Sequence, residues 1–218
     1  FPFFVLNLNN KNNVMEDQAV KSPILIYTEE TPNPESLKFV VNKMLFQGGT
    51  ADFREAESAK EWSPLATSLF EFPYVKGVYI CNNFVSITKE MNYGWEEVQL
   101  RLKEFIKTYV SDGKVIMNDG YMEEQSKLET EKHEKEYTGD DLAIVQKIKD
   151  LIVNVVKPAV EGDGGNIEFK SYDKGVVTVV LQGSCSGCPS STITLKSGIE
   201  GMLQRMVPEV TEVVSEMG

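Results

Sequence analysis

The sequence predicts an α+β chain of two small α+β domains joined by a charged, flexible linker. Three observations carry this. Short apolar runs bounded by Pro, Gly and Asn turns are interleaved with stretches of helical 3/4 spacing. The composition changes between Asn118 and Tyr137, where acidic and basic residues alternate around few apolar side chains. Apolar residues make up 41% of the 218 residues, enough for one or two real cores.

Residues 1–21 read as a disordered tail. Phe1 to Asn13 joins a short apolar run to an Asn-rich one, without a signal or transit pattern. Met15, followed by Glu16 and Asp17, is the expected true start, and residues 1–14 are expected to be upstream read-through or a disordered tail. The first domain is expected over 22–117. Ile24 to Tyr27 reads as a strand. Thr31-Pro32-Asn33-Pro34-Glu35-Ser36 is a loop, because two prolines flank Asn33. Leu37 to Val41 is a second strand, and Gln47-Gly48-Gly49-Thr50 breaks the pattern. Glu55 to Glu61 is a polar surface helix. Ser63 then caps a brief helix with Pro64 at its first position and Leu65, Leu69 and Phe70 inside. Val78 to Thr88 reads as a hairpin turning at Asn82-Asn83, since Asn tolerates positive φ. Trp95, Val98, Leu102, Phe105, Ile106 and Tyr109 follow helical spacing, and Asp112-Gly113 ends that helix. The strands are expected in two pairs.

Residues 118–137 read as a solvated linker with transient helicity. The second domain is expected over 138–218, capped at Thr138 or Asp140. Leu142, Val145, Ile148, Ile152, Val155 and Val156 keep helical spacing as far as Pro158. Glu161-Gly162-Asp163-Gly164-Gly165 is a glycine-rich turn. Asn166 to Ser171 and Val176 to Leu181 form a hairpin through Asp173-Lys174-Gly175. A cysteine turn, Gly183 to Thr192, leads into a helix from Ile193 to Met206. Val210 to Val214 is the last strand, for an order α-β-β-α-β.

The formal net charge of −11 argues against binding a phosphate backbone, which needs clustered Lys and Arg, so no nucleic-acid partner is expected. No apolar run approaches the roughly 18 residues of a membrane span, so no membrane partner is expected either. Three cysteines do not make a disulfide framework, and a reducing, cytoplasmic location is the expectation. The single histidine, His133, sits among Glu131, Lys132, Glu134 and Lys135. That solvated run excludes a His-based triad or a multi-His metal site.

The chemistry therefore falls to Cys185 and Cys188. A Cys-x-x-Cys spacing lets two thiols share a metal, a cluster or a disulfide. Cys188 opens a helix, whose free N–H groups favour a thiolate. Gly183 and Gly187 remove side-chain bulk beside the thiols. A structural zinc takes four ligands, and so does an iron–sulfur cluster as a rule. The rest of the chain offers only Cys81, read as a partly buried strand residue, and His133. Two copies of Cys185 and Cys188 would complete four thiolates on a twofold axis, in a homodimer. A zinc-linked dimer and a thiol–disulfide oxidoreductase remain as alternatives, although a thioredoxin-like order does not fit the hairpin before the turn.

Gly183-Ser184-Cys185-Ser186-Gly187-Cys188-Pro189-Ser190-Ser191, with Val160 to Gly165 upstream, resembles the C-terminal domain of NifU, the Nfu family. Thr31 to Phe39 is similar to the signature of the Nfu N-terminal domain. Together the two resemblances cover residues 22–216. Lys157-Pro158 stands where the family usually has Arg-Pro, and Asn166 where it often has Asp. The separate N-terminal scaffold domain of full NifU is missing. The resemblance implies a non-enzymatic carrier or scaffold in iron–sulfur cluster assembly. It implies a [4Fe–4S] cluster held between two subunits by Cys185 and Cys188, received from upstream assembly proteins and passed to apo-proteins. Asp163 to Gly165 is expected to pack near the cluster turn, and Thr31 to Ser36 to be a rigid loop or a client-docking one.

Overall fold

The structure is a computed structural model that describes residues 22–133, 137–186 and 189–217. The expected tail, and with it the start at Met15, lies outside the described residues. Two α+β units are present, each with its own apolar core, joined by the charged segment.

The first unit holds five strands in one antiparallel sheet: β1 (Ile26–Glu30), β2 (Ser36–Val41), β3 (Phe46–Phe53), β4 (Val75–Asn82) and β5 (Phe84–Lys89), in the order β1-β2-β5-β4-β3. The expected two separate pairs are thus corrected. β2 pairs with β5, placing Leu37 opposite Ile87 and Phe39 opposite Val85, and so fuses them. The Gln47–Thr50 stretch is not a break between elements. It lies within β3 as an irregularity between Phe46 and Thr50, with Gly48 at φ 72°. Asn82 takes the positive φ that the hairpin turn demands.

One face of this sheet is covered by α1 (Ala56–Trp62), α2 (Pro64–Leu69) and α3 (Trp95–Ser111). Ser63 Oγ accepts the Ala66 N–H at 3.1 Å and donates to the Ile116 carbonyl at 2.7 Å. That satisfies an N-terminal donor of α2 and ties the helix to the chain beyond α3. Val98, Leu102, Ile106 and Tyr109 are buried on the inner stripe of α3, as their spacing predicts.

The charged segment is more structured than expected. It forms α4 (Tyr121–His133), and Tyr121 is buried among Phe46, Phe53 and Trp62. A lone aromatic in a polar run looks like a surface residue. Here it fills a gap at the edge of the first core.

The second unit begins with α5 (Asp140–Leu151), continues through a π-helical turn at Ile152–Val156, and ends in α6 (Lys157–Gly162). Two expectations are corrected. Gly139, not Thr138 or Asp140, occupies the N-cap position. The helix also passes Pro158 instead of stopping there. The Lys157 N–H reaches back to the Ile152 carbonyl, which widens the turn before the proline. Pro158 then sits in the first turn of α6, where its missing N–H costs little. Leu142 and Val155, placed on the inner stripe by spacing, are more than half exposed. β6 (Gly165–Asp173) and β7 (Val176–Gly183) form the antiparallel hairpin, and α7 (Pro189–Met206) crosses over to β8 (Glu212–Met217), parallel to β7. Among the described residues, no helix is long and apolar enough to cross a membrane.

Candidate metal centre

The cysteine turn leaves the end of β7 and enters α7. Cys185 is described, whereas Cys188 and Gly187 lie outside the described residues. Cys185 is buried, and its side chain belongs to the core of the second unit beside Leu181 and Ile199. Burial pushes its thiol up to about 11, opposed by the Ser184 hydroxyl and assisted by the negative charge of Asp163. The helix-start argument for a low thiolate pKa therefore does not extend to Cys185. A thiol so held is mostly neutral near pH 7 and must lose its proton either to attack a disulfide or to bind a metal.

The glycine-rich turn at 163–165 packs directly on the cysteine turn, as expected. The Ser184 N–H donates to the Gly164 carbonyl at 3.2 Å, and the Ser184 hydroxyl donates to the Asp163 carbonyl. A Cβ at Gly165 would lie 2.7 Å from Cys185 Sγ, so only glycine leaves room for the thiol there. Gly183 adopts φ 66°, and a Cβ on it would meet the Gly164 carbonyl at 2.8 Å and the Tyr79 ring at 2.9 Å. Ser186 closes the turn, its hydroxyl donating to the Gly183 carbonyl at 2.7 Å.

The first unit supplies much of the surroundings. Asn33 Nδ2, in the Thr31–Ser36 loop, donates to the Ser184 carbonyl at 3.1 Å. The loop holds that amide still, because Asn33 Oδ1 accepts the Glu35 N–H and Thr31 Oγ1 donates to the Asn33 carbonyl. Ser86 Oγ donates to the Gly164 carbonyl at 2.7 Å, and Tyr79 OH to the Gly165 carbonyl at 3.4 Å. Lys38 Nζ donates to the carbonyls of Glu161 and Gly162, at the C-terminal end of α6 where a cation suits the helix dipole. Asp52 Oδ2 accepts the Gly183 N–H at 3.1 Å and pairs with Arg54, which also reaches Ser186 Oγ. Burial raises the Asp52 carboxyl, against the lowering pull of Arg54 and of the Gly183 N–H.

Of these residues, the sequence pointed to Thr31, Asn33 and Glu35 through their loop and to Lys38 through the Thr31–Phe39 stretch, but to none as a partner of the cysteine turn. Lys38 alternates with Leu37 and Phe39, and Ser86 with Val85 and Ile87, which reads as an ordinary solvent-facing strand edge. Only Asp52, a lone carboxylate between Ala51 and Phe53 followed two residues on by Arg54, offered a weak signal. Cys81, expected to be partly buried, is 1% exposed. It lies with Val40, Tyr79 and Phe84 on the sheet face opposite the main core, and burial raises its thiol too. Among the described residues, no group of three or more His, Cys, Asp or Glu side chains could hold a metal.

Comparison with known proteins agrees with both halves of this arrangement. Residues 26–113 match the family model described as "Scaffold protein Nfu/NifU N terminal", and residues 148–214 the one described as "NifU-like domain". The chain is 39% identical over 196 residues to a Drosophila sechellia protein named "NFU1 iron-sulfur cluster scaffold homolog, mitochondrial", covering 89% of this chain and 66% of that one. A Drosophila grimshawi protein of the same name is 40% identical over 189 residues, covering 86% and 60%. The chain thus spans somewhat less than two thirds of the length of these relatives. A solution NMR structure of a NifU-like protein from Saccharomyces cerevisiae aligns with 44% of this chain and 87% of that one, at 22% identity and a TM-score of 0.40. The expectation of a cytoplasmic location is overturned by these relatives, which are named mitochondrial. A sparse cysteine count speaks to reducing conditions and does not choose between compartments. With its N-terminal unit and its cysteine-bearing unit each matched in the expected order, the chain belongs to the Nfu family.

Proposed function

We propose that this chain is a non-enzymatic carrier of an iron–sulfur cluster, working in mitochondria. Residues 22–117 form its N-terminal domain, 118–137 the linker and 138–218 the cluster-binding domain. The cluster is cargo. Cys185 and Cys188 of two subunits provide the four thiolates of a [4Fe–4S] centre, which is received from assembly proteins and handed to apo-proteins. The observation that carries this reading is the cysteine turn in a unit matching the NifU-like domain, in a chain whose described residues hold no group of three or more His, Cys, Asp or Glu side chains placed to hold a metal. The names of the relatives, iron–sulfur cluster scaffold homologues, support it.

The chain's own residues have definite parts in this reading. Gly165 leaves space for the Cys185 thiol, and Gly183 lets the strand turn sharply before it. Ligation requires Cys185 to lose its proton and to leave the apolar core, so cluster binding must reshape the turn. Anaerobic reconstitution with iron and sulfide, read by metal analysis and oligomeric mass, should give about four iron and four sulfide per dimer. Cys185→Ala should bind almost none, and Cys81→Ala as much as the parent. A monomeric loaded protein, or full iron binding by Cys185→Ala, would refute the assignment.

A further inference from the structure

The second face of the first sheet is built to hold something. It carries a small apolar island, Val40, Tyr79, Cys81 and Phe84, ringed by polar side chains. Those side chains spend their hydrogen bonds on backbone atoms of the second unit. Lys38 takes the carbonyls of residues 161 and 162, Ser86 that of 164, Tyr79 that of 165 and Asn33 that of 184, while Asp52 takes the N–H of 183. Recognition is of a chain path with glycine at 164 and 183, where an added Cβ would meet Ser86 and Tyr79 of the first unit. Ser184 and Ser186, which carry contacts across the seam, are 1 and 3% exposed, and Cys185 between them is buried in the core of its own unit.

We infer that this face is a docking surface for the chain's own cysteine turn, and that docking and cluster binding exclude each other. The inference rests on the carrier reading above. A cluster shared across a twofold axis needs the turns of two subunits to face each other closely. In the docked arrangement Asn33, Asp52, Arg54 and Ser86 occupy that approach. The first unit therefore acts as a removable cover, and the turn must leave it before a second copy can join. The seam suits reversible contact, being fastened by hydrogen bonds and leaving an open cavity of about 150 Å³ lined by Asn33, Asp52, Arg54 and Ser186.

The test uses the full-length chain and two variants far from Cys185 and Cys188 in sequence, Ser86→Tyr and Lys38→Glu. Both side chains point away from the main core of the first unit, and circular dichroism checks that each variant folds. The Gly183 amide, whose acceptor lies in the first unit, reports docking by NMR hydrogen exchange in the metal-free protein. Removing a docking contact should speed that exchange about tenfold, and both variants should take up iron faster than the parent in anaerobic reconstitution. Faster exchange with unchanged loading overturns the inference and leaves the carrier reading intact. An unprotected Gly183 amide in the parent overturns the docking itself. If neither parent nor variants bind iron, the carrier reading falls, and the inference with it, whatever the exchange shows.

Discussion

The two faces of the five-stranded sheet are both buried, by different means. The inner face is closed by apolar area: Phe39, Val41, Ile80 and Ile87 meet Leu65, Leu69, Leu102 and Ile106, all essentially inaccessible to solvent. The outer face is closed by directed hydrogen bonds to the backbone of the glycine and cysteine turns. Apolar burial scales with area and is large, about 1.5–3 kcal/mol for each large side chain. A hydrogen bond exchanges water for protein and nets about 0.5–1.5 kcal/mol. The first face holds the domain together. The second selects one chain path and can let it go.

The largest effect should come from breaking the inner face. Leu102→Ala leaves a cavity where nothing polar can compensate, and should lower the unfolding free energy by about 3–5 kcal/mol in urea titration. The next should come from the turn opposite the outer face. Gly183→Ala forces a positive φ on a residue with a Cβ, at about 1–2 kcal/mol. It also drives that Cβ against the Gly164 carbonyl and the Tyr79 ring, at about 1–3 kcal/mol more. The second unit should melt earlier, and the Gly183 amide should lose its protection.

Buried Cys185 offers a pH test of the same region in the metal-free chain. Its thiol is raised by burial to about 11. A raised pKa means that the folded state holds the proton more tightly than the unfolded one. The stabilisation is present below the unfolded value and is lost as pH rises through about 11. Between pH 8 and 11 the parent should lose about 2 kcal/mol that Cys185→Ala does not lose, measured as the difference between their urea midpoints. The smallest change is Ser63→Ala on the inner side. It removes the cap of α2 and should cost about 1 kcal/mol in thermal unfolding.

Elements with strong periodicity or turn chemistry were legible in the chain. The stripe from Val98 to Tyr109, the Ser63-Pro64 start, the Asn82 turn and the Asp173–Gly175 hairpin each follow from local sterics and hydrogen bonding, and each stands where its residues predict. The failures were non-local. Whether β2 joins β5 cannot be read locally, because β3, α1, α2 and β4 lie between them in the chain. Whether Tyr121 is solvent-facing depends on a gap left by Phe46, Phe53 and Trp62. The passage of the helix through Pro158 depends on a π-helical turn that no spacing rule marks.

The candidate site divides in the same way. Two thiols at a Cys-x-x-Cys spacing, the glycines beside them and the shortage of further ligands are properties of the chain, because they depend on residue type and count. The cover over that turn is a property of the fold. Lys38, Asp52 and Ser86 lie more than 75 residues before the atoms they bind, on strands whose alternation is equally right for a face open to water. Alternation fixes which side chains share a face, but the packing of one unit on the other decides whether that face meets solvent or a cysteine turn.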